Sequence, residues 1–138
     1  MRQDVLFVCT HNAARSQMAE GLLRALYGER FRAFSAGTEP GSVHPLAIRA
    51  MAEMGIDLLG HRSKSLDEFR GRAFAYVITV CDQARDRCPV FPNAGRVRHW
   101  GLPDPSRAEG DDAARLEAFR RVRDALAQRL AAEFLETG

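Results

Sequence analysis

The sequence predicts a single-domain, three-layer α/β protein. Its core would be a four-stranded parallel sheet of order 2-1-3-4, flavodoxin-like, with helices on both faces. Three observations predict this. Short apolar runs alternate with stretches of helical periodicity. The apolar runs are continuous rather than alternating, as in strands covered on both sides. The chain has 138 residues, of which 46% are hydrophobic and 28% charged, which suits one domain with one core. No linker, repeat or low-complexity stretch divides it, so the expected domain spans residues 1–138.

The elements follow in order. Asp4–Cys9, DVLFVC, reads as a buried strand and stops at the polar turn Thr10-His11-Asn12. Ser16 to about Tyr27 reads as a helix, with Met18, Leu22, Ala25 and Leu26 on its apolar face and Gly28 as its stop. Phe31–Ser35 is a second strand that ends near Gly37. Pro45 opens a helix with Ile48, Met51 and Met54 inward, and Gly55 closes it. Residues 56–70 read as loop plus a short helix. Ala73–Cys81 is the third strand and Arg96–Trp100 the fourth. After a loop over Pro103–Gly110, Asp111 or Asp112 caps a long helix with Leu116, Phe119, Val122, Leu126 and Leu130 in one stripe.

Composition excludes several function classes. No apolar run is long enough to span a bilayer. The N-terminal run is too short for a signal peptide, so a cytoplasmic protein is expected. The net charge is +2 with acids and bases mixed, and nothing asks for a nucleic-acid partner. Three cysteines, an odd number, argue against a disulfide framework in that compartment. Cys9, Cys81 and Cys88 are therefore buried thiols, metal ligands or reactive thiols. No C-x2-C or H-x3-H spacing supports zinc, and no flavin or nicotinamide fingerprint is present, so no metal or cofactor is expected. Of the 20 basic residues only Lys64 is lysine.

The chemistry concentrates at Cys9-Thr10-His11-Asn12-Ala13-Ala14-Arg15-Ser16, between the first strand and the first helix. Five residues separate Cys9 from Arg15, enough for the backbone to curl with several N–H groups inward. Those donors and the helix N-terminus attract a tetrahedral oxyanion. The same field is expected to lower the Cys9 pKa. Arg15 offers a planar fork for two oxygens. Asn12 tolerates a left-handed backbone, and Ser16 is placed to donate to the Cys9 sulfur. The loop lacks the Gly-Lys-Ser/Thr ending of a nucleotide-binding loop. In a 2-1-3-4 sheet the first and third strands are neighbours, so Cys9 and Cys81 would meet at the carboxyl end, where ligands bind.

VLFVCTHNAARSQMAEGLL resembles the opening of the low-molecular-weight tyrosine phosphatase superfamily, and more narrowly its thioredoxin-coupled arsenate reductases. The resemblance runs from Val5 to about Ala131. It includes Ser35-Ala36-Gly37, Val80-Cys81, Cys88-Pro89, His99-Trp100-Gly101, Asp104-Pro105 and Phe119-Arg120-Arg121-Val122-Arg123. It implies roles for particular residues. Cys9 would be the nucleophile, Arg15 with the loop amides the anion cradle, and Asp104 the general acid. Cys81 and Cys88 mark the reductase branch, since ester hydrolysis needs neither.

The mechanism so implied is a relay. Cys9 attacks arsenate and water leaves with help from Asp104. Cys81 attacks the Cys9 sulfur and arsenite departs. Cys88 moves the disulfide to Cys81–Cys88, which thioredoxin reduces. Phosphate or sulfate would mimic the substrate, and the chain would act as a monomer. Seven positions on a continuous helix span about 10 Å of rise, whereas a disulfide needs Cα atoms within about 7 Å. The segment 82–87, without a large apolar anchor, is therefore expected to rearrange on oxidation.

Three departures stand out. The resemblance implies a potassium site at Asn12, Glu20, Ser35 and an acid within Ser63–Ser65, but here that acidic position holds Lys64, whose ammonium would replace the ion. His11 stands where many relatives have Gly. Ser106-Arg107-Ala108 follows Asp104-Pro105 in place of an aromatic pair, which argues against phosphotyrosine proteins as substrates. Two alternatives remain open: a low-molecular-weight phosphatase using Cys9, Arg15 and Asp104, and a non-catalytic oxyanion or redox sensor.

Overall fold

A computed structural model describes residues 2–81 and 94–134. The sheet is parallel, in the order β2-β1-β3-β4. Its strands are β1 (Gln3–Cys9), β2 (Phe31–Gly37), β3 (Tyr76–Thr79) and β4 (Arg96–His99). The helices are α1 (Arg15–Tyr27), α2 (Pro45–Ala52) and α3 (Asp112–Phe134). Two short 3-10 turns, Leu66–Phe69 and Pro105–Arg107, punctuate the loops.

β1 is central because its residues suit burial on both faces. Val5, Leu6, Phe7 and Val8 are all fully buried. One face packs on helices. Phe134 of α3 meets Phe31 and Tyr76 at ring distances of 4.6 and 5.0 Å. Glu20 of α1 accepts a hydrogen bond from Ser35 Oγ of β2 at 2.7 Å. On the other face Phe34 meets Phe69 and Phe74, each at 5.9 Å, and the Arg72 guanidinium lies 4.3 Å from the Phe34 ring centre. Among the described residues, the cover on that face is the 66–69 turn and its aromatic cluster.

Several expected details shift. The buried face of α1 is Met18, Ala19, Leu22 and Leu23, while Leu26 is half exposed. The sequence offers two overlapping apolar stripes, and contact with the sheet selects one. Met54 is also exposed, because α2 ends at Ala52 and Gly55 turns the chain with φ 75°. The third strand pairs over only four residues, although its flanks still hydrogen-bond to β1: Ala75 N to Asp4 O at 2.8 Å and Val80 N to Val8 O at 2.9 Å. Asp111 is the cap of α3, accepting from Ala114 N at 2.9 Å. The stripe from Leu116 to Leu130 is buried as expected, and Phe134 extends it. Cys88 and the segment expected to rearrange lie outside the described residues.

Candidate active site

β1 ends at Cys9, α1 begins at Arg15, and the loop between them occupies the carboxyl end of the central strand. Its turn depends on Asn12, whose φ is 51°. Asn12 Oδ1 accepts from Gln17 Nε2 and from the Lys64 amide, both at 2.9 Å. Its Nδ2 then donates to Ser16 Oγ at 2.7 Å. The Ser16 hydroxyl also lies 2.7 Å from Cys9 Sγ, placed to donate its proton when that sulfur is a thiolate. One asparagine thus sets the loop's shape and anchors the hydroxyl beside the sulfur.

The surrounding chain turns the loop carbonyls outward. Those of Cys9, Thr10, His11 and Ala13 accept from the amides of Thr38, Glu39, Gly41 and His44, at 2.7–3.2 Å. Peptide planarity then turns the N–H groups of His11, Asn12 and Ala14 toward the loop's interior. No side chain caps α1, and its first turn carries no acid, which leaves that helix end suited to an anion. Gly37 permits the close approach of β2. A Cβ there would lie 2.6 Å from Thr10 O and 2.9 Å from Asn12 N.

Two adjoining hollows open at this loop. One, of about 280 Å³, is lined by Cys9, Ala13, Ala14 and His44 among others. The second, of about 260 Å³, is lined by Thr10, Cys81, Leu102 and Arg107. His11, Arg15 and Asp104 line both. Cys81 is buried just beyond β3, with its sulfur 3.3 Å from Thr10 Oγ1. Arg15 Nη1 donates to Leu102 O at 3.0 Å, and its Nη2 lies 3.8 Å from Asp104 Oδ2. Asp104 Oδ1 accepts from the amide and hydroxyl of Ser106 at 3.0 and 2.7 Å. His11 Nδ1 donates to the Glu39 carbonyl at 2.9 Å, which leaves Nε2 as the acceptor of the neutral ring.

The electrostatics correct one expectation. Burial pushes the Cys9 thiol above its ordinary value; the Ser16 hydrogen bonds and Arg15 pull it down, without reversing the sign. Desolvation depends on burial, which the loop's residue types do not reveal. Asp104 goes the other way. Burial raises it, but the Ser106 donors outweigh that, with help from Arg15 and Arg107, and hold its carboxyl below the ordinary range.

Behind the loop, Glu20 is almost wholly buried, with 5% of its side chain exposed. Ser35 Oγ donates to it at 2.7 Å, Arg24 Nη2 lies 2.8 Å away and Lys64 Nζ 3.6 Å away. Lys64 Nζ also donates to Arg62 O at 3.0 Å. His61 completes the cluster, with Nδ1 3.3 Å from Glu20. Burial lowers its pKa, against the pull of Glu20. The sequence reading did not single out His44, Arg107 or His61 for this site. His44 had a local signal, its place directly before Pro45 at a helix start. Arg107 had one too, its place just beyond Asp104-Pro105, and His61 had none.

A parallel 2-1-3-4 sheet that carries a Cys-x5-Arg loop at the end of its first strand defines a class of thiol-based oxyanion-handling proteins. The chain belongs to the low molecular weight phosphotyrosine protein phosphatase family, whose sequence profile matches residues 4–137. Its relatives are more specific than the family name. The chain is 40% identical to an arsenate reductase of Bacillus subtilis (strain 168) over 134 residues, 97% of this chain and 96% of that protein. A solved structure described as an arsenate reductase in the phosphate binding state superposes with a TM-score of 0.80 at 34% identity, covering 100% of both chains. A thioredoxin-dependent arsenate reductase of Corynebacterium glutamicum gives a TM-score of 0.70 at 31% identity, covering 99% of this chain and 64% of that one.

Proposed function

We propose that this protein reduces arsenate to arsenite in the cytoplasm, as a monomer recycled by thioredoxin. One observation carries the reading. A second buried thiol, Cys81, lines a hollow that shares Arg15, His11 and Asp104 with the hollow of Cys9. Ester hydrolysis has no use for that thiol, whereas a two-electron reduction needs it. Arsenate binds in the loop against Arg15. The Cys9 proton passes to the oxyanion and the sulfur attacks arsenic; Asp104, a carboxylate at neutral pH, relays a proton to the oxygen that leaves as water. The Cys81 thiol, beside Thr10, then attacks the Cys9 sulfur and gives its proton to an oxygen on arsenic. The S–S bond forms, the S–As bond breaks, and its electron pair stays on arsenic, which departs as arsenite. The Cys88 thiolate attacks Cys81 and restores Cys9. Thioredoxin supplies two electrons to the Cys81–Cys88 disulfide. Lys64 holds the place of a cation beside Glu20, so no potassium is required.

Three variants test the relay. Cys9→Ser, Cys81→Ser and Cys88→Ser should each lose turnover of arsenate with thioredoxin. Cys81→Ser and Cys88→Ser should retain any hydrolysis of a small aryl phosphate. Full arsenate turnover by Cys88→Ser would point instead to a low-molecular-weight thiol as reductant. Failure of the wild type on both substrates would favour an oxyanion or redox sensor.

A further inference from the structure

We propose that His44 is a further substrate-binding residue, donating from Nε2 to the oxyanion held by the loop of Cys9 and Arg15. The inference rests on the reading of that cavity as an oxyanion site. His44 lines the hollow of about 280 Å³ together with Cys9, Ala13, Ala14 and Arg15. It precedes Pro45 at the start of α2, and its Nδ1 lies 3.0 Å from the Leu46 amide nitrogen. A backbone N–H only donates, so Nδ1 is the acceptor and carries no proton. In the neutral ring the proton is then on Nε2. Among the described residues that N–H has no partner.

The ring is also held in place. The His44 amide donates to Ala13 O at 2.9 Å, which ties the residue to the anion loop itself. The imidazole packs on Phe119 of α3, with ring centres 4.7 Å apart. Two charged groups act on it. Arg115 on α3 favours the neutral ring, as burial does more strongly, and Asp104 on the facing loop opposes them. Protonating Nδ1 would also break the cap on Leu46. His44 therefore adds a donor without adding a charge. Arg15's fork addresses two oxygens of a tetrahedral anion, and a neutral donor lining the same hollow suits another.

The test is isothermal titration of the full chain with inorganic phosphate, which binds without turnover. His44→Asn keeps a side-chain acceptor for the Leu46 amide and draws the remaining donor, its shorter amide Nδ2, back from the Nε2 position. Phosphate should bind the variant roughly tenfold more weakly than the wild type, with a thermal midpoint lowered no further than in Asp111→Ala. The KM for arsenate should rise by a similar factor while kcat holds. Asp111→Ala, which removes the cap of α3 away from the cavity, should lower the midpoint and leave phosphate affinity intact. Wild-type affinity in His44→Asn would overturn the proposal, and so would an equal loss in Asp111→Ala. Because phosphate binding is read without chemistry, a wild type that fails to reduce arsenate would sink the proposed reaction and leave the role of His44 standing.

Discussion

Arg15 and Arg120 are treated oppositely by the fold. Arg120, on the outer surface of α3, meets Glu53 through Nε and Nη2 at 2.6–3.0 Å, and Arg123 adds a further bond to the same carboxylate at 2.8 Å. Among the described residues, Arg15 has one good bond, to the Leu102 carbonyl, and its nearest carboxylate oxygen lies at 3.8 Å. The carboxylate that would neutralise Arg15 is drawn aside by Ser106. The lesson concerns where charge is spent. Between α2 and α3 it is matched by a carboxylate of the protein itself, and at the loop it is left available to an incoming anion.

The largest expected effect attacks this contrast directly. Arg15→Ala should weaken phosphate binding by roughly 100-fold, because a charge-assisted fork on the anion is lost. Arg15→Lys should recover part of that loss, since it restores charge without the fork. Arg120→Ala should leave phosphate affinity unchanged. A comparable loss from Arg120→Ala in the same titration would collapse the contrast.

The next effect concerns the buried charge behind the loop. Lys64→Met should destabilise the fold by about 1–3 kcal/mol, because Glu20 keeps its burial and loses a cation. Added potassium should restore stability to the variant more than to the wild type, as read by denaturant midpoints in potassium and sodium salts. Equal responses to the two salts in both proteins would remove Lys64 from the role of cation substitute. A subtler change is expected from Ser16→Ala. It deletes the donor that pulls the Cys9 pKa down, so the pH midpoint of Cys9 alkylation should rise further above the ordinary thiol value. An unchanged or lower midpoint would mean that the Ser16 bond does not stabilise the thiolate.

These tests separate what the sequence reveals from what only folding decides. The parallel sheet and the anion loop follow from apolar runs alternating with helical periodicity and from Cys9 and Arg15 at a strand–helix junction. The left-handed Asn12 is legible because few residue types accept that backbone. The sign of the Cys9 shift is not legible, because it balances burial against donors and burial belongs to the whole fold. Leu26 and Met54 mislead for a related reason: both fit an apolar stripe, but the sheet and the end of α2 select another. His44 hides because a residue before a helical proline reads as a cap, and capping with one ring nitrogen is what fixes the proton on the other.

The smallest expected effect lies at the matched end of the contrast. The Arg120 hydrogen bonds, and then those of Arg123, hold Glu53 down at about 2, from an ordinary value of 4.5. A carboxylate depressed in this way stabilises the fold once pH exceeds its unfolded value, and that contribution fades as pH falls through the folded one. Glu53→Gln should therefore differ from the wild type most above pH 4.5 and converge with it toward pH 2. The difference should be smaller than that of Lys64→Met, because the pair is open to water and screened. Thermal midpoints of both proteins across that pH range, at low and moderate salt, decide the matter. A difference that persists undiminished at pH 2 would mean that Glu53 acts through packing against α3 rather than through its charge. A difference confined to the higher pH range, with phosphate affinity unmoved, would show that this network serves the fold alone and draws no charge from the anion loop.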